Sequence, residues 1–411
     1  MKSNHVGMIK NLAYSFFAYA LPTAVLQFVV QPMIAKRIGA EANGQYLTLM
    51  SLNFFLVGIT ASVLNTVRLL QDKRYDEKKI KGDFNIFFLF YVLIIAILMP
   101  AGYAYYIKSI RWVDIGLYIA IGWLYLYHDY IFAQYRLKLQ YNKILINNVI
   151  MVFGYGVGLL VFMLTSKWQF VFICAYLFTF VYDYCNTDYI KEPVRKTFLF
   201  NETLGLIIPL TVSSFLGSSV TYFDKLLLYP LLGGTSVSIY NTATIVGKIL
   251  LMVSAPLSSV FLSYLVHENE LKVDLRFKQY ATIVALLIVG YATCVIVGDP
   301  LTSYLYPDWA FESQKLIPIT VAASLFLLLG NCINTVIVRF FKAHLQIVIQ
   351  SIHLALYLVL SLIGLKTYGL FGFCMGVMIS NCIRLILIIV IIFRKPNTLF
   401  RTNNNINERR D

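Results

Sequence analysis

Apolar runs of roughly 20 residues alternate with short charged connections from Asn11 to Phe393, about twelve times. Each run is long enough to cross the hydrocarbon core of a bilayer as a helix, which satisfies its own backbone hydrogen bonds where water is absent. The pattern predicts spans at 11–35, 45–70, 84–107, 112–135, 144–166 and 168–190. A second set follows at 203–231, 236–265, 279–298, 313–338, 345–365 and 369–393. The expected fold is an all-α membrane protein of about twelve transmembrane helices.

Charge fixes the orientation. With the N-terminus inside, cytoplasmic connections and ends hold 23 lysines and arginines, while outer connections hold only Lys36, Arg37, Lys108, Arg111, Lys167, Lys315 and Lys366. The positive-inside rule then places both termini in the cytoplasm. The net charge of +14 is spread through these loops, so it anchors helices and does not form a nucleic-acid patch. The first apolar stretch continues to Ile34 without a small-residue cleavage site, so it reads as a retained helix.

A central charged connection beginning at Lys191 separates spans six and seven. The expected organisation is an N-terminal six-helix bundle (1–196), a C-terminal six-helix bundle (197–395) and a polar, Asn-rich cytoplasmic tail (396–411). The hairpin Ile38–Tyr46 has a counterpart in Leu232–Tyr240, with Gly39 matching Gly233 and Tyr46 matching Tyr240 without a gap. Weak repeats of this kind mark transporters built from related bundles; tight glycine hairpins recurring by chance are the simpler alternative.

Chemistry must come from polar residues within the spans, because these cost about 2.5–3.5 kcal/mol each at a helix centre. Arg68, Lys225, Lys248 and Arg384 are the cations, and Asp129, Asp183, Asp188 and Asp224 are the acids, inside or near the ends of spans. Thr211, Ser214, Ser218, Thr221 and Lys225 step by three and four along one face of span seven. Span eight repeats the stripe with Ser238, Asn241, Thr244 and Lys248, span ten with Asn331, Thr335 and Arg339, and span one with Tyr19, Thr23, Gln27 and Gln31.

Small hydroxyl residues also serve close helix packing, but a lysine does not, so Lys225 and Lys248 point to a hydrated cavity, with ion pairing to Asp224 or another acid the alternative. Asp224 and Lys225 are adjacent and are expected to point apart. Arg68 shares a face with Asn65 and lies near enough to the cytoplasm to snorkel; Arg384 follows Ser380 and Asn381 too deep for that. Asp129, Asp183 and Asp224 are the candidates for ion coupling, with pairing to a basic residue such as Arg136 the alternative. His128 and His353 read as polar packing residues, and the six cysteines, all within spans, as small apolar ones.

Enzyme chemistry has no foothold. The sequence has no G-x-x-x-x-G-K-[ST], H-E-x-x-H or G-x-S-x-G run, no Cys/His ligand cluster, and an outer loop (299–314) too short for a catalytic domain. No catalytic residue, metal site or cofactor is expected.

Tyr222-Phe223-Asp224-Lys225-Leu226-Leu227-Leu228, then Leu231-Leu232-Gly233 and Ile239-Tyr240-Asn241, resembles the hairpin between the seventh and eighth helices of Wzx-type polysaccharide flippases. Tyr368–Gly376 with Ile379-Ser380-Asn381 is similar to the start of their twelfth helix, and Tyr135-Arg136-Leu137-Lys138 with Tyr141-Asn142 to the basic stretch after their fourth. These motifs place the chain in the multidrug/oligosaccharidyl-lipid/polysaccharide exporter superfamily more securely than in one branch.

The resemblance implies a flippase that moves undecaprenyl-pyrophosphate-linked surface-glycan repeat units from the inner to the outer leaflet of a bacterial cytoplasmic membrane. It implies two bundles around a cation-lined cavity, with the lipid-linked oligosaccharide and the bilayer as partners. A polysaccharide polymerase and a chain-length regulator are candidate partners, and the glycan is O-antigen of a lipopolysaccharide, capsule or another surface polymer. Lys225 matches the family's basic position. Lys248, Arg384, Arg68, Asn241, Ser218 and Thr221 join it as candidate substrate-binding residues on the cavity argument alone. The alternatives are a cation-coupled drug antiporter of the same superfamily, which wants cavity-facing acids, and a membrane polysaccharide polymerase, which wants a large outer loop.

Overall fold

The computed structural model describes residues 20–109, 111–252, 254, 258, 277–341 and 343–394. The starts of span one and span nine's preceding loop, the far end of span eight and the tail 396–411 lie outside the described residues, as does Tyr19.

Helices account for nearly everything described. They are α1 (Ala20–Glu77), α2 (Asp83–Ile107), α3 (Trp112–Leu137), α4 (Tyr141–Thr165), α5 (Gln169–Asn186), α6 (Phe200–Ala243), α7 (Phe277–Leu305), α8 (Ile317–Phe340) and α9 (Ala343–Arg394). Among the described residues, seven helical stretches are long and apolar enough to cross a membrane, all of these except α3 and α5. Three of the seven break inside: α1 at Gly39, α6 at Gly233 and α9 at Tyr368–Gly369. α9 therefore holds two predicted spans whole, α1 the described part of the first and all of the second, and α6 one whole span and the start of the next. The chain is an α-helical, multi-pass membrane protein.

The breaks are written in glycine. Gly39 adopts φ 79°, ψ 172° and Gly233 φ 81°, ψ 175°, a region that a side chain at Cβ makes very costly. The two hairpins paired in the sequence thus share one backbone geometry to within a few degrees. Seven residues further on, each carries a buried tyrosine set against aromatic rings. Tyr46 lies 5.1 Å from Trp168 and 6.0 Å from Phe172, and Tyr240 lies 5.6 Å from Phe373.

The described chain divides into two compact units, one ending at Val237 and the other beginning at Ser238. In the first, α3 packs against α1, α2 and α5, and α5 lies along α4. The α4–α5 crossing is close because Gly154 and Gly158 present no side chain; a Cβ at either would strike the backbone of Ala175 or Val171. The connection from Thr187 to Leu199, expected only as a charged linker, is fastened to the ends of α1 and α2. Asn85 donates to the carbonyls of Tyr189 (3.0 Å) and Glu192 (2.8 Å), and Asp83 accepts from the Thr197 amide (2.7 Å) and hydroxyl. The Tyr75 hydroxyl donates to Asp83 at 2.7 Å and meets the Thr203 hydroxyl at 2.8 Å.

In the second unit, α8 packs along α9, which folds back on itself. Gly364 faces Gly372 and Gly376 faces Leu360, backbone against backbone, so the two arms run in opposite directions from Tyr368–Gly369. Val336, Ile337, Phe341, Ile349 and Ile388 form a buried apolar cluster between α8 and α9.

Candidate functional site

In the first unit the decisive position is the end of α6's first arm. Asp224 and Lys225 are both buried, and the Lys225 ammonium lies 3.2 and 3.3 Å from the two carboxylate oxygens of Asp224. The expectation that neighbours on a helix point apart is therefore corrected. Asp224 turns back to accept from the Lys225 amide at 2.7 Å, and the four-carbon lysine stem is long enough to fold onto it. The pair is nearly neutral as it stands, with the ammonium free to trade a carboxylate for a stronger anion.

The hydroxyl stripe on the same arm is partly self-satisfied. Thr211 and Thr221 donate to the carbonyls four residues back, Ile207 (2.8 Å) and Gly217 (3.4 Å). Ser214 meets Ser62 of α1 at 3.3 Å, Ser218 is half-buried, and Thr221 is exposed. These groups keep acceptor capacity for a polar ligand.

Arg68 is placed differently. Its guanidinium forms a two-pronged pair with Glu192, 2.9 and 2.6 Å, and lies 4.5 Å above the Phe84 ring and 4.0 Å above the Tyr189 ring. Both partners are buried. Its neighbour Asn65 donates to the Asp129 carbonyl of α3 at 2.9 Å. Glu192 was not singled out in the sequence, where its only signal was an acid inside a run of basic residues. Arg68 here anchors the 187–199 connection.

Two acids sit deeper. Asp183 is fully buried; one of its oxygens accepts from Tyr135 (2.8 Å) and Asn147 (2.6 Å), and the other has no hydrogen-bond partner among the described residues. Asp129 is half-buried, one helical turn beyond Tyr125 and in the field of Arg136. His128 is buried against Phe132 and Tyr176.

The second unit holds the other two cations. Lys248 donates to the Asn241 carboxamide at 2.6 Å, so two members of the span-eight stripe meet directly. Arg384, on the second arm of α9, is only 4% exposed. It donates to Asn331 of α8 at 3.0 Å, and its Nε has no hydrogen-bond partner among the described residues. Among the described residues no carboxylate pairs with it. Gly330 leaves room for its guanidinium, since a Cβ there would lie 3.4 Å from Nη1. Alongside, His353 shares a 2.9 Å hydrogen bond with Asn381, which also donates to the Ala323 carbonyl at 2.9 Å. Buried guanidinium without a counter-ion is an anion-seeking arrangement.

No group of three or more metal-binding side chains comes together among the described residues, and the six cysteines are free thiols. The network chemistry available is anion binding, hydrogen bonding and proton exchange.

No protein-family model matches the chain. A capsular polysaccharide biosynthesis protein of Staphylococcus aureus, CapF, is 23% identical over 405 residues, covering 92% of this chain and 98% of that protein. Among solved structures, an inward-facing multidrug resistance MATE family transporter of the MOP superfamily superposes with a TM-score of 0.69 at 13% identity, covering 93% of this chain and 98% of the other. The lipid II flippase MurJ, in an inward closed conformation, superposes with a TM-score of 0.60 at 13% identity, covering 96% and 88%. The resemblance carried by the Asp224–Lys225 hairpin is thereby borne out: the chain shares the fold of a MATE transporter and of a lipid II flippase, and is similar in sequence to a capsular polysaccharide biosynthesis protein.

Proposed function

We propose that the protein is a flippase for lipid-linked oligosaccharides, carrying undecaprenyl-pyrophosphate-linked glycan repeat units from the inner to the outer leaflet of a bacterial cytoplasmic membrane by alternating access. Twelve spans in two six-helix bundles, with both termini in the cytoplasm, belong to this reading. The observation that carries it is Arg384, a buried guanidinium with no acid paired to it among the described residues. A pyrophosphate is the counter-ion such a group lacks, and planar donors bind phosphate oxygens in pairs.

Lys225 and Lys248 extend the cationic set, each held by a partner that a phosphate can displace: Asp224 in one case, Asn241 in the other. Ser218, Thr221 and Asn241 supply hydrogen bonds for hydroxyl-rich sugars. Arg68, locked to Glu192, supports the site from a distance. The names of CapF and MurJ agree with a glycan-bearing lipid as cargo. The membrane potential assists, since moving one net negative charge outward is favourable by about 2.3 kcal/mol per 100 mV. Asp183, Asp129 and Asp224 are the candidates for coupling; Asp183, fully buried with one oxygen unpartnered among the described residues, suits a proton and not a larger cation.

The drug-antiporter reading wants an acid free to draw in cations. Asp224 is already matched by Lys225, and Asp183 is fully buried behind Tyr135 and Asn147. The test is lipid-linked sugar accumulation in cells lacking the gene, restored with wild type, Lys225→Ala or Lys225→Arg. The expected result is inner-leaflet accumulation cured by wild type and by Lys225→Arg but not by Lys225→Ala. Normal surface glycan in the deletion strain, with no second flippase present, overturns the proposal.

A further inference from the structure

On α1, Phe54, Gly58 and Ser62 recur every four residues and so share a face. A Cβ built on Gly58 meets nothing within 4 Å, so this face looks onto open space. At one end of the opening three aromatic side chains from three helices converge. Phe54 stands edge-on to Tyr125 of α3 at 5.5 Å and 88°, and its ring lies 6.3 Å from Tyr222 of α6. Tyr125 is backed by Tyr176, stacked at 5.2 Å and 22°.

Phe54, Tyr125 and Tyr222 are half-buried, whereas the supporting Tyr176 is buried. A carboxylate completes the group: Asp129, one helical turn beyond Tyr125 on α3 and so on the same face, is also half-buried. The three rings and the carboxylate each keep part of their surface uncovered at this opening, so they have room for a ligand there. Aromatic faces beside a carboxylate are what a sugar ring requires. The C–H face of a pyranose is weakly positive and sits on the negative face of an aromatic ring. Its hydroxyls donate to a carboxylate that can accept two at once.

Position along α6 adds the second argument. Tyr222 precedes Lys225 by three residues, so the two side chains share a face about 4.5 Å apart along the axis. That is about the spacing between a pyrophosphate and the sugar bonded to it. Resting on the flippase reading above, we propose that Phe54, Tyr125, Tyr222 and Asp129 form a subsite for the sugar ring attached directly to the lipid pyrophosphate, with Lys225 holding the adjoining phosphate. The protein then selects glycosylated over bare lipid carrier, and the first sugar is read within the first unit.

The test is equilibrium binding to the full-length protein in nanodiscs, using two radiolabelled probes, undecaprenyl pyrophosphate and undecaprenyl-pyrophosphoryl N-acetylglucosamine. Wild type is expected to bind the sugar-bearing probe roughly 10-fold more tightly, the size of one good aromatic contact. Tyr222→Leu and the nearly isosteric Asp129→Asn are expected to erase that preference while leaving bare-carrier affinity unchanged. Lys225→Ala is expected to weaken both probes together. Equal wild-type affinity for the two probes, or a preference that survives both Tyr222→Leu and Asp129→Asn, overturns the sugar subsite while leaving a pyrophosphate-binding flippase intact. Failure of wild type to bind either probe overturns the flippase reading itself.

Discussion

The Glu41 carboxylate caps Thr235, accepting from its amide at 2.8 Å and its hydroxyl at 3.1 Å, and also from the Gly234 amide at 3.0 Å. Glu41 lies two residues past Gly39, and Thr235 lies two residues past Gly233, so the contact joins equivalent points of the two repeated hairpins. A carboxylate at fresh helical amides satisfies donors that have no partner within the helix and meets the positive end of its dipole. Glu41 is exposed, which limits the gain to that of an ordinary cap. Glu41→Ala is expected to destabilise the purified protein by about 1 kcal/mol, with Glu41→Gln falling between it and wild type. Thermal unfolding in detergent checks this, and identical midpoints for Glu41→Ala and wild type would remove the cap from the account.

Gly39 and Gly44 are predicted to fail for different reasons when given a side chain. Gly39 needs its positive φ but has open space around it, so Gly39→Ala carries only backbone strain, about 1–3 kcal/mol. Gly44 is ordinary helix, yet its Cα faces the Gly234 backbone directly, and a Cβ there must push main chain aside. Gly44→Ala is therefore expected to part the two hairpins, exposing a cysteine introduced at buried Val237, three residues past Gly234, to a water-soluble maleimide. Gly39→Ala is expected to lower stability without raising that labelling as far. Equal labelling in the two variants would contradict the distinction.

The Arg68–Glu192 pair is buried on both sides and capped by two rings, so its members do not tolerate separation. Removing one partner leaves a desolvated charge, and Arg68→Met or Glu192→Leu alone is expected to cost roughly 3–5 kcal/mol. Making both changes together is expected to recover most of that loss, because two apolar side chains fill the space without stranding a charge. A double-variant cycle on unfolding free energy gives the coupling directly; additive losses would mean that the pair holds nothing together.

The hairpin glycines, the limits of most spans and the cationic stripes were legible because each is a local signal. Left-handed backbone calls for glycine, hydrocarbon calls for an apolar run, and a helix face repeats every three or four residues. Predicted spans 84–107 and 112–135 match α2 and α3 to within two residues. What the sequence hid was distance along the chain. Nothing near Arg68 names Glu192, which lies 124 residues away in a loop. Phe54, Tyr125 and Tyr222 each look like membrane filler on their own helix and acquire meaning only where three helices meet. Asp224 and Lys225 misled for the opposite reason. Helix geometry sends neighbouring Cβ atoms apart, but a flexible stem can return its end group to the residue before it.

Arg384 offers the sharpest separation of function from stability. An anchoring arginine, like Arg68, destabilises a protein when removed. Arg384 donates to neutral Asn331, leaves its Nε unpartnered and meets no carboxylate among the described residues, so no acid among them offsets its desolvation cost. Arg384→Met keeps the length of the stem and removes the charge. It is expected to raise stability by about 1–4 kcal/mol, as apolar replacement of buried charge commonly does. The same substitution is expected to abolish the restoration of surface glycan in a deletion strain, because the anion loses its counter-ion. The opposite pattern, an unstable variant that still transports, would make Arg384 a structural residue and leave head-group binding to Lys225 and Lys248. Measured together, melting midpoint and transport distinguish a cation kept for the fold from one kept for a ligand.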